Sequence, residues 1–464
     1  MSDRLTDDAR LWRVIVASSI ALFAINLDFF AVQAALPRMA RDLDSNVTSL
    51  QWVLSGYMLA LASCLIVGGR VADLLGRRRW LVIGAALFGL ASLLAGAADS
   101  GTTVILLRIA QGAGAAVLFP VCLSVVTNAF PADRTQRAIG TVFAIAAIGQ
   151  ALGPFVGGAV TEFASWRWVL WINVPVSCAV IVLTLTSVEE SRDETAARRI
   201  DWAGLVLVIG SVGLFTYGID RSGDLGWSSP TTIAPMAIGA IGLGAFLVVE
   251  SRSRVPLIDL GLFRIREFSL MIAAGVVGNM GVVVVIFLSM LLLQNVEGFT
   301  AIEAGAAFLA FSGGITLASQ LSGHLERFPS WLVMTAALVV GGAAAIGMGL
   351  LHDDVVPYLV LSAFAGFGLG MCWTFASVVT QAVAPPEKAG AASGIVLTLL
   401  IGMGGVAVAV ATSIVEGQVS RGTTAEGSAI GIALIAFGGL AVVSAPVVAV
   451  LGRRQPAPLS AAGS

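Results

Sequence analysis

The sequence predicts an all-α polytopic membrane protein, and three observations carry that expectation. Of its 464 residues, 57% are hydrophobic and only 12% charged, where a soluble domain needs about 25% charged residues to cover its surface. Apolar runs of ~20 residues recur along the whole chain, long enough to cross a bilayer as helices. In hydrocarbon the backbone must satisfy its own polar groups, so such runs are helices and not irregular chain. The 53 glycines fit the same picture, because small residues let membrane helices approach closely.

Turn signals and charges divide the chain into fourteen spans, and the tryptophans check the boundaries independently. The first, 14–36, follows the mixed-charge stretch MSDRLTDDARLWR, which reads as no cleaved leader, and stops at Arg38. Span 51–69 opens on Trp52 and runs into Arg70; 80–98 opens on Trp80 after three arginines. Spans 102–125 and 138–161 are parted by Arg134 and Arg137, and 166–187 opens on Trp166 and Trp168. Span 201–219 opens on Trp202 and ends before Arg221; 231–249 follows Trp227 and ends before Arg252. Then come 268–293 after Arg264 and Arg266, 301–321, 331–351 on Trp331, 356–380, 390–415 after Lys388, and 428–451 after Arg421. Tryptophan at span ends is expected of interfacial rings. Trp373, deep in the twelfth span, is the exception, and is either a stacking surface in a cavity or ordinary packing.

Alternation of the spans places 20 of the 26 basic residues on the side of the N-terminus and five on the other, with Arg108 inside a span. Basic residues favour the cytoplasmic side, so both termini are expected there. Weak repetition sharpens the organisation. GYMLALASCLIVGGRVADLLGRRRW at the second span is echoed by GAAFLAFSGGITLASQLSGHLERFPSW at the tenth, and RAIGTVFAIAAIGQALG by KAGAASGIVLTLLIGMGG. The offset of eight predicts two six-helix bundles, 1–190 and 267–464, separated by linkers and two extra helices within 191–266. Parallel repeats of this kind place a substrate site between the halves.

The energy source follows by exclusion. A phosphate-binding Walker loop needs Gly-Lys-Ser/Thr, and the only lysine, Lys388, is followed by Ala389. No stretch is long enough for a nucleotide-binding domain. His324 and His352 sit in loops without a second ligand, and Cys64, Cys122, Cys178 and Cys372 are isolated in apolar runs. No enzyme, metal, cofactor or nucleic-acid role is expected.

Two motifs carry more. The loop after the second span holds Gly69, Asp73, Gly76, Arg77 and Arg78 in the spacing Gly-x-x-x-Asp-x-x-Gly-Arg-Arg-Arg. Read alone it is either a positive-inside anchor or a conformational latch, with Asp73 accepting from an arginine or capping a helix. The fifth span carries Gly149, Gly153 and Gly157 at four-residue intervals, with Pro154 and Gly158. The glycines form a groove and the proline bends the helix, which suits a surface that closes on the other half and parts again; plain close packing is the alternative.

The first motif resembles the signature loop of the major facilitator superfamily, and the second resembles the antiporter motif of its exporting members. LDFFAVQAALP around Asp28, Leu107-Arg108 with Gln111-Gly112 and Gly114, WRWVLWINVP at 166–175, and DWAGLVLVIGSVGLFTYGIDRSGDLGWSSP are similar to its fourteen-helix drug:proton antiporter branch. The resemblance spans nearly the whole chain and is strongest over 20–230. It implies a proton-coupled exporter of lipophilic or cationic drugs or antibiotics, a monomer in the cytoplasmic membrane. Export of one endogenous metabolite or lipid is the alternative. Two departures matter: the loop at 322–330 keeps Gly323 but no clear Asp, and the thirteenth span has no carboxylate before Glu416, which puts dicationic substrates in doubt.

Only Asp28 and Arg108 are stranded within spans. Each costs about 2.5–3.5 kcal/mol at a helix centre, so both are expected to face protein or water. Counted from the outer span ends they lie at matching depths. Either they couple protons to transport, Asp28 as carrier, or they form a fixed structural pair. Asn26, Gln33, Tyr57, Gln150 and Trp373 are the candidate cavity residues.

Overall fold

The computed structural model describes residues 2–45, 47–192, 202–252, 260–325, 327–384, 389–419 and 425–453. Arg198, Arg199, Arg254, Lys388 and Arg421, which contribute to the charge asymmetry, lie outside them. Helices α1 (Ser2–Asp42) and the short α2 (Val47–Leu50) lead into α3 (Trp52–Leu75), α4 (Arg77–Ala97), α5 (Gly101–Ala129) and α6 (Ala132–Phe163). Next, α7 (Trp166–Trp171) and α8 (Asn173–Ser187) form one passage, followed by α9 (Trp202–Leu225) and α10 (Pro230–Arg252). The remainder comprises α11 (Arg266–Leu291), α12 (Ala301–Ala307), α13 (Leu309–Leu325), α14 (Ser330–Leu350), α15 (Val355–Val383), α16 (Ala389–Val419) and α17 (Glu426–Arg453). A 3-10 turn, Leu260–Arg264, precedes α11, and a π turn, Leu292–Val296, ends it. No strand occurs among the described residues.

Among the described residues, twelve passages are long and apolar enough to cross a membrane, and α3, bent by 48° between Trp52–Leu65 and Val67–Leu75, makes a thirteenth. The expected seventh span falls on α9, whose apolar stretch among the described residues is only Val206–Ile219. The count of fourteen is therefore not established. Polar caps start several helices at the loops. Ser100 accepts from the amide of Thr103, Ser165 from that of Arg167, and Thr300 and Glu303 form a reciprocal capping box.

Backbone proximity, not bulky side chains, joins many of these helices. A methyl group on Gly342 or Gly349 of α14 would strike the carbonyls of Gly438 or Gly431 on α17, the close approach that small residues permit in lipid. The packing repeats along the chain: α1 lies on α6 and α3 on α5, while α11 lies on α16 and α13 on α15. Helices α9 and α10 pair with each other, and α9 rests against α3 and α16.

Contacts between the two sets of helices cluster on the face opposite the chain termini. There Gln294, on the π turn, donates to the carbonyl of Ala34 at 2.9 Å, and Ser55 donates to the carbonyl of Gly405 at 3.3 Å. On the same face Gly158 of α6 abuts the backbone of Ala301, and Gly305 of α12 abuts that of Pro154. This far face is sealed by backbone-to-backbone packing.

Two expectations need correction. The groove of Gly149, Gly153 and Gly157 does not face the other half: it receives Phe23, Leu27, Phe30 and Ala31 of α1, within its own set of helices. Gly158, with Pro154 and Phe155, meets α12, because these residues lie on the adjoining face. Trp166 is not an interfacial ring either. It is 0% exposed, with the Arg167 guanidinium 4.4 Å from its ring, whereas Trp12, Trp168 and Trp227 are exposed.

Candidate functional site

Helices α1, α3, α5, α6, α11, α13, α15 and α16 enclose a small central cavity of about 80 Å³. Four of the five expected residues line it: Asn26, Tyr57, Gln150 and Trp373. Trp373 is thus a cavity wall and not buried packing alone. Phe29, Phe30, Met58 and Phe119 supply most of the near wall, and Val282, Val283, Ile315 and Ile401 the far one. The polar groups are few, as suits loose recognition of an amphiphile. Asn26 donates to the carbonyl of Ala146 on α6 at 3.2 Å, and Asn279 donates to that of Leu400 on α16 at 2.6 Å. These two asparagines occupy corresponding helices of the repeat, and the second was not anticipated from the sequence. Gln33 lies outside the cavity. It is 1% exposed, and both its amide atoms are buried without a hydrogen-bond partner.

Asp28 and Arg108 do pair. Arg108 Nη1 donates to Asp28 Oδ2 at 2.5 Å, and both side chains are wholly buried. A lone charge there would be expensive, so the remaining groups matter. Asp28 Oδ1 accepts from Asn173 Nδ2 at 2.6 Å and from Gln111 Nε2 at 3.2 Å. Arg108 also donates from Nη1 to Gln111 Oε1 at 2.7 Å and from Nε to the carbonyl of Val53 at 3.2 Å. Ser92 accepts from both amides and donates to the carbonyl of Leu170. Helices α5 and α8 thus meet the carboxylate of α1 directly, and α4 joins the network through Ser92.

This network is not open to the cavity. The Tyr57 ring lies with its centroid 4.2 Å from the Arg108 guanidinium carbon and stacks on Phe29 at 6.0 Å. Since Tyr57 and Phe29 also line the cavity, they form the partition between the cavity and the ion pair. The Tyr57 hydroxyl and Arg108 Nη2 are buried without a partner. Both arginine and tyrosine therefore hold unused donors beside a cavity wall. Ser92 and Asn173 escaped the sequence reading; the signal for Asn173 was an amide inside WRWVLWINVP, a polar group in a span that had to find a partner.

The loop motif folds into a second cluster. Arg77 Nε meets Asp73 Oδ1 at 2.7 Å, and Gly76 has φ +118°, a conformation that glycine alone adopts freely. A side chain at Gly76 would also collide with Glu190. The Glu190 carboxylate accepts from the amides of Arg78 at 3.1 Å and Arg79 at 3.3 Å, at the start of α4. It therefore caps that helix where the macrodipole favours an anion. Arg78 Nη2 donates to the carbonyl of Leu185, the Arg77 amide to that of Ser191, and Arg10 pairs with Glu189 at 2.6 Å. The segment 185–191 is thus the strap that holds this loop, and nothing local in the loop's own sequence pointed to it. Gly69 faces Pro120 of α5.

Many apolar crossings and an interior cavity between two sets of helices, closed on one face, define a multi-pass membrane carrier for small molecules. The chain belongs to the Major Facilitator Superfamily, whose model matches residues 18–409. It is 36% identical over 388 residues to the multidrug resistance protein Stp of Mycobacterium tuberculosis, covering 82% of this chain and 71% of that protein. It is 34% identical to the cephamycin export protein CmcT of Amycolatopsis lactamdurans, covering 95% and 93%. The puromycin resistance protein pur8 of Streptomyces alboniger is also 34% identical, over 84% and 78%. Among solved structures, the POT family transporter PepTSo superposes with a TM-score of 0.70 over 96% of this chain and 98% of that one, at 15% identity; that likeness concerns the fold.

Proposed function

We propose that this protein is a proton-driven exporter of lipophilic or cationic small molecules, drugs or antibiotics among them, working by alternating access in the cytoplasmic membrane. The observation that carries it is the buried Asp28–Arg108 pair set directly behind the wall of an apolar cavity. The relatives named for drug resistance and antibiotic export supply the direction of transport. We assign the bundles to 1–190 and 267–464, with two extra crossings between them giving fourteen in all, both termini cytoplasmic, and a monomer as the unit. The sealed far face is then the outer face, and the state described opens toward the cytoplasm.

Asp28 is the proton carrier in this reading. Neutralising it in place would strand the Arg108 cation, a penalty of about 3–5 kcal/mol for a broken buried pair. Proton uptake therefore requires Arg108 to move, and its route to water runs past Tyr57 toward the cavity. Displacing Tyr57 reshapes the wall that a substrate contacts, so proton and substrate compete through one partition. Inward proton movement supplies about 2.3 kcal/mol per 100 mV. The Asp73–Arg77 pair and the Gly76 turn latch the cytoplasmic loop, and Gly158 with Pro154 closes the outer face on α12.

The test is efflux of a fluorescent lipophilic cation from energised cells or vesicles. Transport that rises with the pH gradient and collapses on adding a protonophore supports the reading; transport indifferent to the gradient contradicts it. A second reading, a dedicated exporter of one endogenous metabolite, is favoured by the near end-to-end match to the cephamycin export protein. A substrate panel in a pump-deficient host separates the two.

A further inference from the structure

A second void is larger than the central cavity. A chamber of about 440 Å³ lies between the α9–α10 hairpin and the α3–α16 pair. Its walls include Ala62 of α3, Val212 of α9, Phe246 of α10, Phe263 of the 3-10 turn, and Thr398 and Gly402 of α16. Apart from Ser63 and Thr398 the lining is apolar, and Thr398 Oγ1 is buried without a partner. Water gains little in such a space, since a buried water needs two to four polar partners. An empty chamber forfeits dispersion contacts along its whole lining. A hydrocarbon occupant answers both.

Three placements say which hydrocarbon. Most lining positions lie in the terminus-side halves of their helices, Phe246 six residues before the end of α10 and Phe263 just ahead of α11, while Leu59, Ala62 and Val406 lie past the midpoints of α3 and α16. The chamber therefore runs from about mid-membrane into the terminus-side leaflet. Helix α10 is largely exposed around it, so the outer wall is a lipid-facing hairpin. At the mouth, Arg252 ends α10, Arg264 follows Phe263 directly, and Arg266 begins α11; all three are exposed. Of the carboxylates on these described elements, Glu250 is buried and Glu267 accepts from Ser330. From Phe246 to Arg252 the rise is about 9 Å at 1.5 Å per residue, the step from acyl chain to headgroup.

We propose that this chamber is a binding site for an anionic membrane phospholipid, one acyl chain lying between α9–α10 and α3–α16 and the headgroup phosphate on Arg252 and Arg264. The site is distinct from the transport cavity, although α3 and α16 wall both: Met58 and Ile401 face the cavity, Ala62 and Gly402 the chamber. The assignment does not depend on the coupling ion or the substrate.

Native mass spectrometry of the full chain, delipidated and re-equilibrated with equal phosphatidylglycerol and phosphatidylcholine, tests it. The wild type is expected to retain one phosphatidylglycerol in preference to phosphatidylcholine. Val212→Trp fills the chamber from the hairpin side and is expected to lose retention of both lipids. Arg252→Gln with Arg264→Gln, surface changes that leave packing alone, is expected to cut the preference about fivefold per arginine while phosphatidylcholine is still retained. Equal retention of the two lipids by the wild type overturns the proposal. So does unchanged phosphatidylglycerol retention in a folded Val212→Trp protein, or displacement of retained lipid by a lipophilic cation alone, which would make the chamber a substrate port.

Discussion

Removing either member of the Asp28–Arg108 pair should destabilise the protein far more than removing both. In Arg108→Leu the Asp28 carboxylate keeps the Asn173 and Gln111 donors but loses its countercharge, so the cost falls near the lower end of the 3–5 kcal/mol range for broken buried pairs. In Asp28→Leu the guanidinium keeps Gln111 Oε1, the Val53 carbonyl and the Tyr57 face. None of these is an anion, and Nη2 has no partner already, so the cost lies toward the upper end. In the double variant no charge remains, and replacement by apolar side chains of similar volume is close to neutral. Denaturant titration of the purified protein in one detergent measures all three. The expected result is two singles less stable by roughly a hundredfold or more in folding equilibrium, at ~1.4 kcal/mol per tenfold, and a double near wild type. A double variant whose loss equals the sum of the singles would refute the pairing argument.

Other outcomes follow from particular contacts. Gly158→Val puts a branched side chain against the Ala301 backbone, so the far face should fail to close; spin labels at Glu162 and Ala306 should report a longer separation, and an unchanged distance would count against the seal. Gln33→Leu removes two buried, unpartnered amide atoms. It should favour the sealed state by about 1–3 kcal/mol, shown by the same labels as a larger short-distance population and by slower turnover. Glu190→Gln removes the anion at the start of α4, an exposed contact of about 0.3–1 kcal/mol, and amide exchange at Arg78 and Arg79 should rise about twofold to fivefold.

Much of this fold was legible because lipid imposes a simple rule on sequence: apolar length makes a helix. The limits show where other forces act. Span boundaries were readable, yet α9 carries too short an apolar stretch to stand as a crossing on its own. The glycines at 149, 153 and 157 announced a groove, but periodicity cannot say which neighbour fills it, and the occupant is α1. Trp166 sits at a span end and is nonetheless interior, because position along the chain does not fix the face of a helix. At the site, Asp28 and Arg108 were conspicuous as charges in apolar runs. Gln111 stands one turn from Arg108, but Asn173 and Ser92, which also make their burial tolerable, are neutral and ordinary in composition, and distance along the chain hides them. Glu190 was likewise invisible from the loop it caps, 112 residues away. Asn26, Tyr57, Gln150 and Trp373 were readable as polar or aromatic groups in cavity-facing spans, while Gln33, two turns beyond Asn26 along α1, is buried outside the cavity.

The central claim is that Asp28 carries the proton that drives export. Its most direct test is Asp28→Asn, reconstituted in liposomes with an imposed pH gradient and compared with wild type for efflux of one fluorescent cation. The substitution keeps the shape of the side chain, but it removes the titrating group and the countercharge of Arg108 and exchanges one acceptor oxygen for a donor. Gradient-driven efflux should disappear, while exchange of substrate for substrate without a gradient should persist, because the cavity behind Tyr57 is intact. A variant that still accumulates substrate against its gradient with the pH dependence of wild type would contradict the account.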